Sequence, residues 1–229
     1  MKVQRLRLTF GRGEEVKYIT HLDLMRFWER ALRRAALPVA YSEGFSPHAQ
    51  ISLAAPLPVG TTSEAELMDV FMAQRVAPKT VLRDLARQLP AGFTLIAAEE
   101  VGIGLPALQA DVRFAEYDVE VAPGDVDVSA AVERFLASPS VPWEHRREDE
   151  VRAYDIRALV DEVQILRRDA DAVTLRMRLK NDSSGSGRPE QVALALGLGQ
   201  PRRIHRTRLV LSARSPAREA WRRRGRFAG

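Results

Sequence analysis

The segments VQRLRLTF (residues 3–10) and THLDLMRFWERALRRAA (residues 20–36) decide the fold, because they carry two different periodicities. In the first segment apolar and polar residues alternate, which is typical of a half-buried strand. In the second, Thr20 and Asp23 have the spacing of a capping box, which predicts that an amphipathic helix begins there. A strand followed by such a helix indicates a mixed α+β domain.

The rest of the first half completes a β-α-β-β-α-β order. Extended runs at 39–41 and 49–55 flank a turn-rich segment, and a further strand covers 64–73. Pro78 has the position of N1 in a second helix, and a last strand covers 93–98. This order predicts a ferredoxin-like unit, in which two helices pack on one face of a four-stranded antiparallel sheet.

The second half repeats the pattern without repeating the residues. Strands are predicted at 113–121, within 151–168, at 173–180 and at 204–211, and helices at 127–137 and 189–196. The fold class is therefore α+β with two tandem ferredoxin-like units and antiparallel sheets. The predicted organisation is an N-terminal unit at 1–100, a linker at 101–112, a C-terminal unit at 113–212 and an Arg-rich tail at 213–229.

Composition excludes several kinds of chemistry. The 229 residues include no cysteine, so disulfides, thiolate zinc sites, thiol nucleophiles and the usual iron–sulfur clusters are excluded. We expect no cofactor and no metal. The sequence has no apolar run of about 18 residues, and its first residues do not resemble a signal peptide. We therefore expect a cytoplasmic protein with no membrane partner.

The net charge of +5 and the pI of about 9.9 favour a polyanionic partner such as RNA. A basic composition alone is the alternative explanation. The excess is greatest in the last 28 residues, where Glu219 is the single acid. The C-terminal candidates for nucleic-acid binding are Arg203, Arg206, Arg222, Arg223 and Arg224.

Four arginines on the first helix form a second basic candidate. Their spacing predicts one stripe along the helix, where planar guanidinium groups could bind phosphates. A solvated helix face is an equally good interpretation. The stripe consists of Arg26, Arg30, Arg33 and Arg34, with Glu29 as its only acid. The predicted apolar face of the same helix consists of Leu22, Met25, Trp28, Leu32 and Ala35.

The best polar cluster combines the start of this helix with the turn-rich segment. If they meet near Tyr41, the candidates His21, Asp23 and His48 could bind a metal or act as general acid and base. The simpler interpretation assigns them to helix capping and to a loop. Phe45 is either a core or turn residue or a base-stacking platform.

Asp155 is the remaining catalytic candidate. It lies close in sequence to Arg152 and Arg157, a combination that RNA-modifying enzymes of tandem ferredoxin-like build can use. An ordinary ion pair is the better interpretation of one Asp near two Arg residues.

Several blocks of the chain resemble the signature of a bacterial family of radical-SAM-associated proteins of unknown function. The blocks are ITHLDLMR (19–26), ERALRRA (29–35), YSEGFSPH (41–48), PLPVG (56–60), SEAE (63–66), DIRALV (155–160) and GRPE (187–190). The resemblance implies a protein fused to, or encoded beside, a cobalamin-binding-type radical SAM protein, in a gene neighbourhood of RNA processing and ribosomal proteins. It implies no established activity.

We therefore expect a non-catalytic accessory or substrate-presenting subunit for a radical SAM protein, which binds RNA or a ribosome-related substrate through a basic surface. The lack of cysteine agrees with a partner role, because the enzyme's cluster needs thiolates. One alternative is an RNA-processing or RNA-modifying enzyme, and another is a purely structural assembly domain.

Overall fold

The structure is a computed structural model that describes residues 1–147 and 150–212. The chain divides into two compact units. Unit 1 is built on Met1–Val112, and unit 2 is built on Arg113–Val210.

Unit 1 contains four strands and three helices among its described residues. In chain order they are β1 (Gln4–Arg12), α1 (His21–Arg34), β2 (Ile51–Leu53), β3 (Thr62–Met72), α2 (Pro78–Ala86), β4 (Phe93–Val101) and α3 (Leu108–Asp111). Pro78 is in the first turn of α2, as predicted. The short helix α3 lies inside the predicted linker, where no helix was predicted.

The strands of unit 1 pair in the order β4-β1-β3-β2, and all three pairings are antiparallel. Leu6 lies opposite Val70 of β3, and Leu8 lies opposite Ala98 of β4. The long central strands β1 and β3 thus form the base on which α1 packs.

The core of unit 1 joins β1 to α1. Leu6, Leu8 and Phe10 alternate along β1 and are fully buried. The Phe10 and Trp28 rings make an edge contact with centroids 4.8 Å apart. The helix face that packs here differs from the predicted one, because Leu22 is 58% exposed. The buried residues of α1 are Leu24, Trp28, Ala31 and Leu32.

A charged network lies on the opposite face of β1. Asp69 is completely buried and accepts hydrogen bonds from Nε of Arg5 at 2.9 Å and from Nε of Arg7 at 2.8 Å. Arg5 also donates to the carbonyl oxygens of Leu105 and Pro106. The network therefore attaches the segment after β4 to the sheet of unit 1.

Unit 2 contains two helices and a longer series of strands. They are β5 (Val112–Val121), α4 (Val128–Ala137), β6 (Pro142–Arg147), β7 (Glu150–Asp155), β8 (Val160–Arg168), β9 (Val173–Asp182), β10 (Gly185–Ser186), α5 (Pro189–Ala195) and β11 (Arg203–Leu211). Its main sheet has the order β8-β9-β5-β11, and β6 with β7 forms a separate two-stranded sheet.

The described residues confirm a mixed α+β fold with five helices and mostly antiparallel sheet. The finer assignment to two tandem ferredoxin-like units stays a prediction, as do the predicted domain boundaries. The single extended stretch predicted within 151–168 consists of two strands, β7 and β8, and the sequence analysis missed β6. Across residues 1–147 and 150–212, none of the helices combines the length and apolar character needed to cross a membrane.

Candidate functional site

The start of α1 is fixed by the predicted cap. The Thr20 hydroxyl oxygen accepts the N–H of Asp23 at 3.2 Å, and the hydroxyl donates to the Asp23 carboxylate at 2.7 Å. These contacts satisfy one of the helix's free N–H groups and hold the carboxylate at the positive end of the helix dipole. Asp23 therefore has a structural role at the cap, and His21 is the exposed first residue of the helix.

The helical period separates two faces of α1. One face packs in the core of unit 1, and the other carries Arg26, Glu29, Arg30 and Arg33 at successive spacings of three, one and three residues. Residues three and four apart on a helix are surface neighbours. The burial of Trp28 thus positions these charged side chains along one exposed stripe.

The turn-rich segment forms a closed loop beside this stripe. Tyr41 and Ala49 form an isolated antiparallel bridge at its base. The N–H of Ser42 donates to the carbonyl of His48, and the N–H of His48 donates to Oγ of Ser42, both at 2.9 Å. Gly44 has a φ of 118°, which favours glycine. The ends of the loop are therefore fixed while its tip projects outward.

The stripe and the loop together line one pocket. The pocket has a volume of about 270 Å³, and we call it the arginine pocket. Its lining residues are Arg26, Glu29, Arg30, Arg33, Tyr41, Pro47 and Ala49. The Arg stripe and the loop are separate candidates in the sequence, and the structure brings them together.

The arginine pocket has an excess of positive charge. Arg26 has only a long contact of 3.7 Å with Asp23, and both side chains are more than half exposed. Arg30 and Arg33 form no ion pair with any residue in the described part of the chain. Three guanidinium groups therefore face one carboxylate, that of Glu29, in a pocket open to ligands.

Arg34 does not line this pocket. Its Nη2 donates to the carbonyl of Gln88 at 2.9 Å, in the segment that follows α2. The predicted stripe of four arginines thus divides into three that line the pocket and one that binds backbone.

Two aromatic side chains of the loop region are exposed. Tyr41 is half-exposed in the wall of the arginine pocket. Phe45 is fully exposed at the tip of the loop, so the core role considered for it is wrong. Both rings are accessible to a stacking partner.

The predicted acid–base cluster does not form a metal site. Among residues 1–147 and 150–212, no group of three His, Asp or Glu side chains has the geometry to hold a metal ion. His21 and His48 are exposed, and His48 contacts Ser42 through its backbone N–H and carbonyl groups. Of the catalytic candidates in unit 1, only Tyr41 lines the pocket.

The Asp155 carboxylate binds backbone N–H groups in unit 2. Its carboxylate accepts the N–H of Val141 at 2.8 Å and the N–H of Arg157 at 3.0 Å. The hydrogen bond from Val141 is the main reason that the pKa of this carboxyl lies below its ordinary value. The Arg157 guanidinium donates instead to the carbonyls of Leu136 and Val160. Asp155 and Arg157 therefore form no ion pair with each other.

The C-terminal arginines fall into three groups. Arg203 is exposed and lines a pocket of about 310 Å³ in unit 2 together with acidic residues. Arg206 is completely buried, so the prediction that it binds nucleic acid at the surface is wrong. Arg222, Arg223 and Arg224 lie outside the described residues.

Opposite charges are paired on the exposed sheet face of unit 2. Arg176 makes two hydrogen bonds to Asp118, at 2.8 and 2.9 Å, across neighbouring strands. Arg208 contacts Glu116 at 2.6 Å. These arginines therefore have carboxylate partners, whereas Arg30 and Arg33 of the arginine pocket have none among the described residues.

A polar cluster in unit 2 was not foreseen. The Tyr154 hydroxyl donates to the Gln191 side chain, whose amide nitrogen lies 3.1 Å from Nδ1 of His145. Burial raises the pKa of Tyr154. These residues are far apart in sequence and share no motif, so sequence analysis had no signal for the cluster.

Comparison with known proteins gives a family without a known activity. A family model described as an uncharacterized protein conserved in bacteria (DUF2344) matches residues 5–189. Among curated proteins, none matches the chain.

Several solved structures show weak similarity to this chain. A Cbf5-Nop10-Gar1 complex matches with 11% identity and a TM-score of 0.47 over 88% of this chain and 48% of that chain. An H/ACA RNP bound to a substrate RNA containing 2'-deoxyuridine matches with 13% identity and a TM-score of 0.44 over 88% and 47%. An unknown protein from Galdieria sulphuraria matches with 16% identity and a TM-score of 0.27 over 85% and 89%. The chain spans about half the length of the first two.

Proposed function

We propose that this chain, which belongs to the DUF2344 family of uncharacterized proteins conserved in bacteria, is a non-catalytic accessory protein that binds single-stranded RNA. The observation that carries the proposal is the arginine pocket, where Arg30 and Arg33 have no ion-pair partner among the described residues and face an accessible cavity. An unneutralised pair of guanidinium groups is suited to phosphate oxygens, which they can bind through two parallel hydrogen bonds.

The aromatic side chains favour a single strand over a duplex. Tyr41 in the pocket and Phe45 at the loop tip expose ring faces on which unstacked bases can stack. Paired bases are already stacked within a helix and would leave these rings unused. Arginines at the backbone and aromatic rings at the bases form the usual combination of a single-strand site.

The proposal also includes a fold of two tandem ferredoxin-like units and a radical SAM protein as the partner. The strand orders β4-β1-β3-β2 and β11-β5-β9-β8 support the assignment of two tandem ferredoxin-like units. The proposed partner is a radical SAM protein, to which this chain would present RNA or a ribosome-related substrate. This partner rests on the sequence resemblance, and the lack of cysteine is compatible with it.

Two of the catalytic candidates already have structural contacts. Asp23 is used by the cap of α1, and Asp155 is used by backbone N–H groups. The purely structural alternative predicts no RNA binding, so the same experiment tests it.

The test compares two double variants of the full chain. Arg30→Ala/Arg33→Ala removes two charges from the arginine pocket, and Arg83→Ala/Arg134→Ala removes two exposed charges from other helices. Binding of a fluorescent oligouridine is measured by anisotropy over a series of salt concentrations. For single strands, the slope of log K against log salt is about −0.7 per phosphate bound. We expect the pocket variant to flatten the slope by about 1.4.

The control variant loses the same net charge as the pocket variant. It should keep the wild-type slope of log K against log salt, because its arginine pocket is intact. Equal losses in both variants would show that only net charge matters and would refute the pocket as the site. No binding by the wild-type chain at low salt would refute the RNA proposal and leave the structural alternative.

A further inference from the structure

Glu29 is the unexplained residue of the arginine pocket. It lies on α1 between the turns that carry Arg26 and Arg33, and its side chain is partly buried in the pocket wall. It forms no ion pair with these arginines or with any other residue in the described ranges. A carboxylate in a phosphate site opposes phosphate binding through like-charge repulsion. Its presence therefore indicates a ligand group that donates hydrogen bonds.

We infer that Glu29 recognises the Watson–Crick edge of a guanine, so that the arginine pocket prefers single-stranded RNA with a guanine at this position. The inference deepens the proposed RNA-binding function and rests on it. An ionised carboxylate is acceptor-only and can accept two parallel hydrogen bonds.

Guanine is the base that matches such an acceptor. Its N1–H and its N2 amino group donate side by side, in the spacing of the two carboxylate oxygens. Adenine and cytosine each place an acceptor nitrogen beside their amino group, and uracil flanks its single N–H with two carbonyls. Each of these three bases therefore sets a lone pair against the carboxylate, which costs binding energy.

The other walls of the pocket suit a base with a phosphate on either side. Tyr41 supplies a ring face, and Pro47 and Ala49 supply apolar surface. Arg30 and Arg33 are on the same helix stripe as Glu29 and can hold the adjoining backbone. The volume of about 270 Å³ leaves space for a single base.

The experiment measures base preference in the full chain. Short oligouridines that differ only in a central G, A, C or U are titrated into the wild type, into Glu29→Gln and into Glu133→Gln. Glu133 is an exposed acid on α4, so its variant makes the same charge change outside the pocket. A bidentate contact of this kind predicts at least about fivefold tighter binding of the guanine oligomer by the wild type. The preference should persist in Glu133→Gln and fall to near unity in Glu29→Gln.

The possible failures can be told apart. If the wild type binds all four oligomers equally, the guanine inference is refuted and the RNA-binding function stands. If Glu29→Gln binds all four more tightly and keeps any preference, Glu29 only balances charge and the inference is again refuted. If the wild type binds none of them, the proposed function itself fails.

Discussion

Substitution of Asp69 by alanine should destabilise unit 1 more than any change to an exposed charge. The carboxylate is completely buried and accepts hydrogen bonds from the guanidinium groups of Arg5 and Arg7, which are themselves buried. Its removal leaves two buried positive charges without compensation. Breaking a buried ion pair by removing one partner costs about 3–5 kcal/mol, which is a large part of a typical stability of about 5–15 kcal/mol.

Urea denaturation followed by circular dichroism measures this effect, and thermal melts should show a loss of roughly 10 °C for a chain of this size. Asp84→Ala is the matched control, because it breaks the exposed contact of Asp84 with Arg83 and should leave stability unchanged. Asp69→Asn should have an intermediate effect, since the amide keeps one acceptor oxygen. If Asp69→Ala unfolds within about 1 kcal/mol of the wild type, as a solvated pair would, then the network does not stabilise the sheet.

Two further substitutions test local features of unit 1. Ala36 has a φ of 51° at the end of α1, where the N–H of Leu37 donates to the carbonyl of Leu32 in a Schellman arrangement. Ala36→Gly should therefore stabilise the protein by up to about 1 kcal/mol in urea denaturation, and a loss of stability would contradict the left-handed backbone there. Phe45→Ala should leave the melting temperature unchanged because the ring is fully exposed, but it should weaken oligouridine binding by about 1–3 kcal/mol if a base stacks on it. A lower melting temperature would instead indicate a structural role for Phe45.

The local patterns that sequence analysis predicted well depend on neighbouring residues. The cap at Thr20, the proline at the start of α2 and the extended segments on either side of α1 are set by backbone geometry within a few residues. The apolar face of α1 was predicted less well. Leu22, Leu24 and Met25 are all apolar and close together, so periodicity alone could not decide which of them faces the sheet.

The errors at the sites concern tertiary contacts. The alternation of side chains along β11 places Arg203 and Arg206 on opposite faces, but this basic strand does not show from its sequence which face is buried. Asp155 and Arg157 have the spacing of an ion pair, but backbone groups of Val141 and Val160 bind them instead. The strand β6 was missed because its sequence, PWEHRR, has few of the apolar alternations that indicate a strand.

The sequence predicted the Arg stripe and the loop separately, but not that they form one pocket. The composition of the arginine pocket is nevertheless the strongest argument for the proposed RNA-binding function. The fold requires one face of α1 to be apolar, and Trp28 and its neighbours meet that requirement. The fold does not require particular residues on the exposed face of α1, where any mixture of charged side chains would keep the helix soluble. Arg26, Arg30 and Arg33 repel one another at spacings of four and three residues, and Asp23 near Arg26, together with the position of Arg33 in the last turn of α1, offsets part of this repulsion. Because Arg30 and Arg33 have no ion-pair partner among the described residues and lie beside a loop with exposed aromatic rings, a bound anionic partner is our proposed explanation for their arrangement.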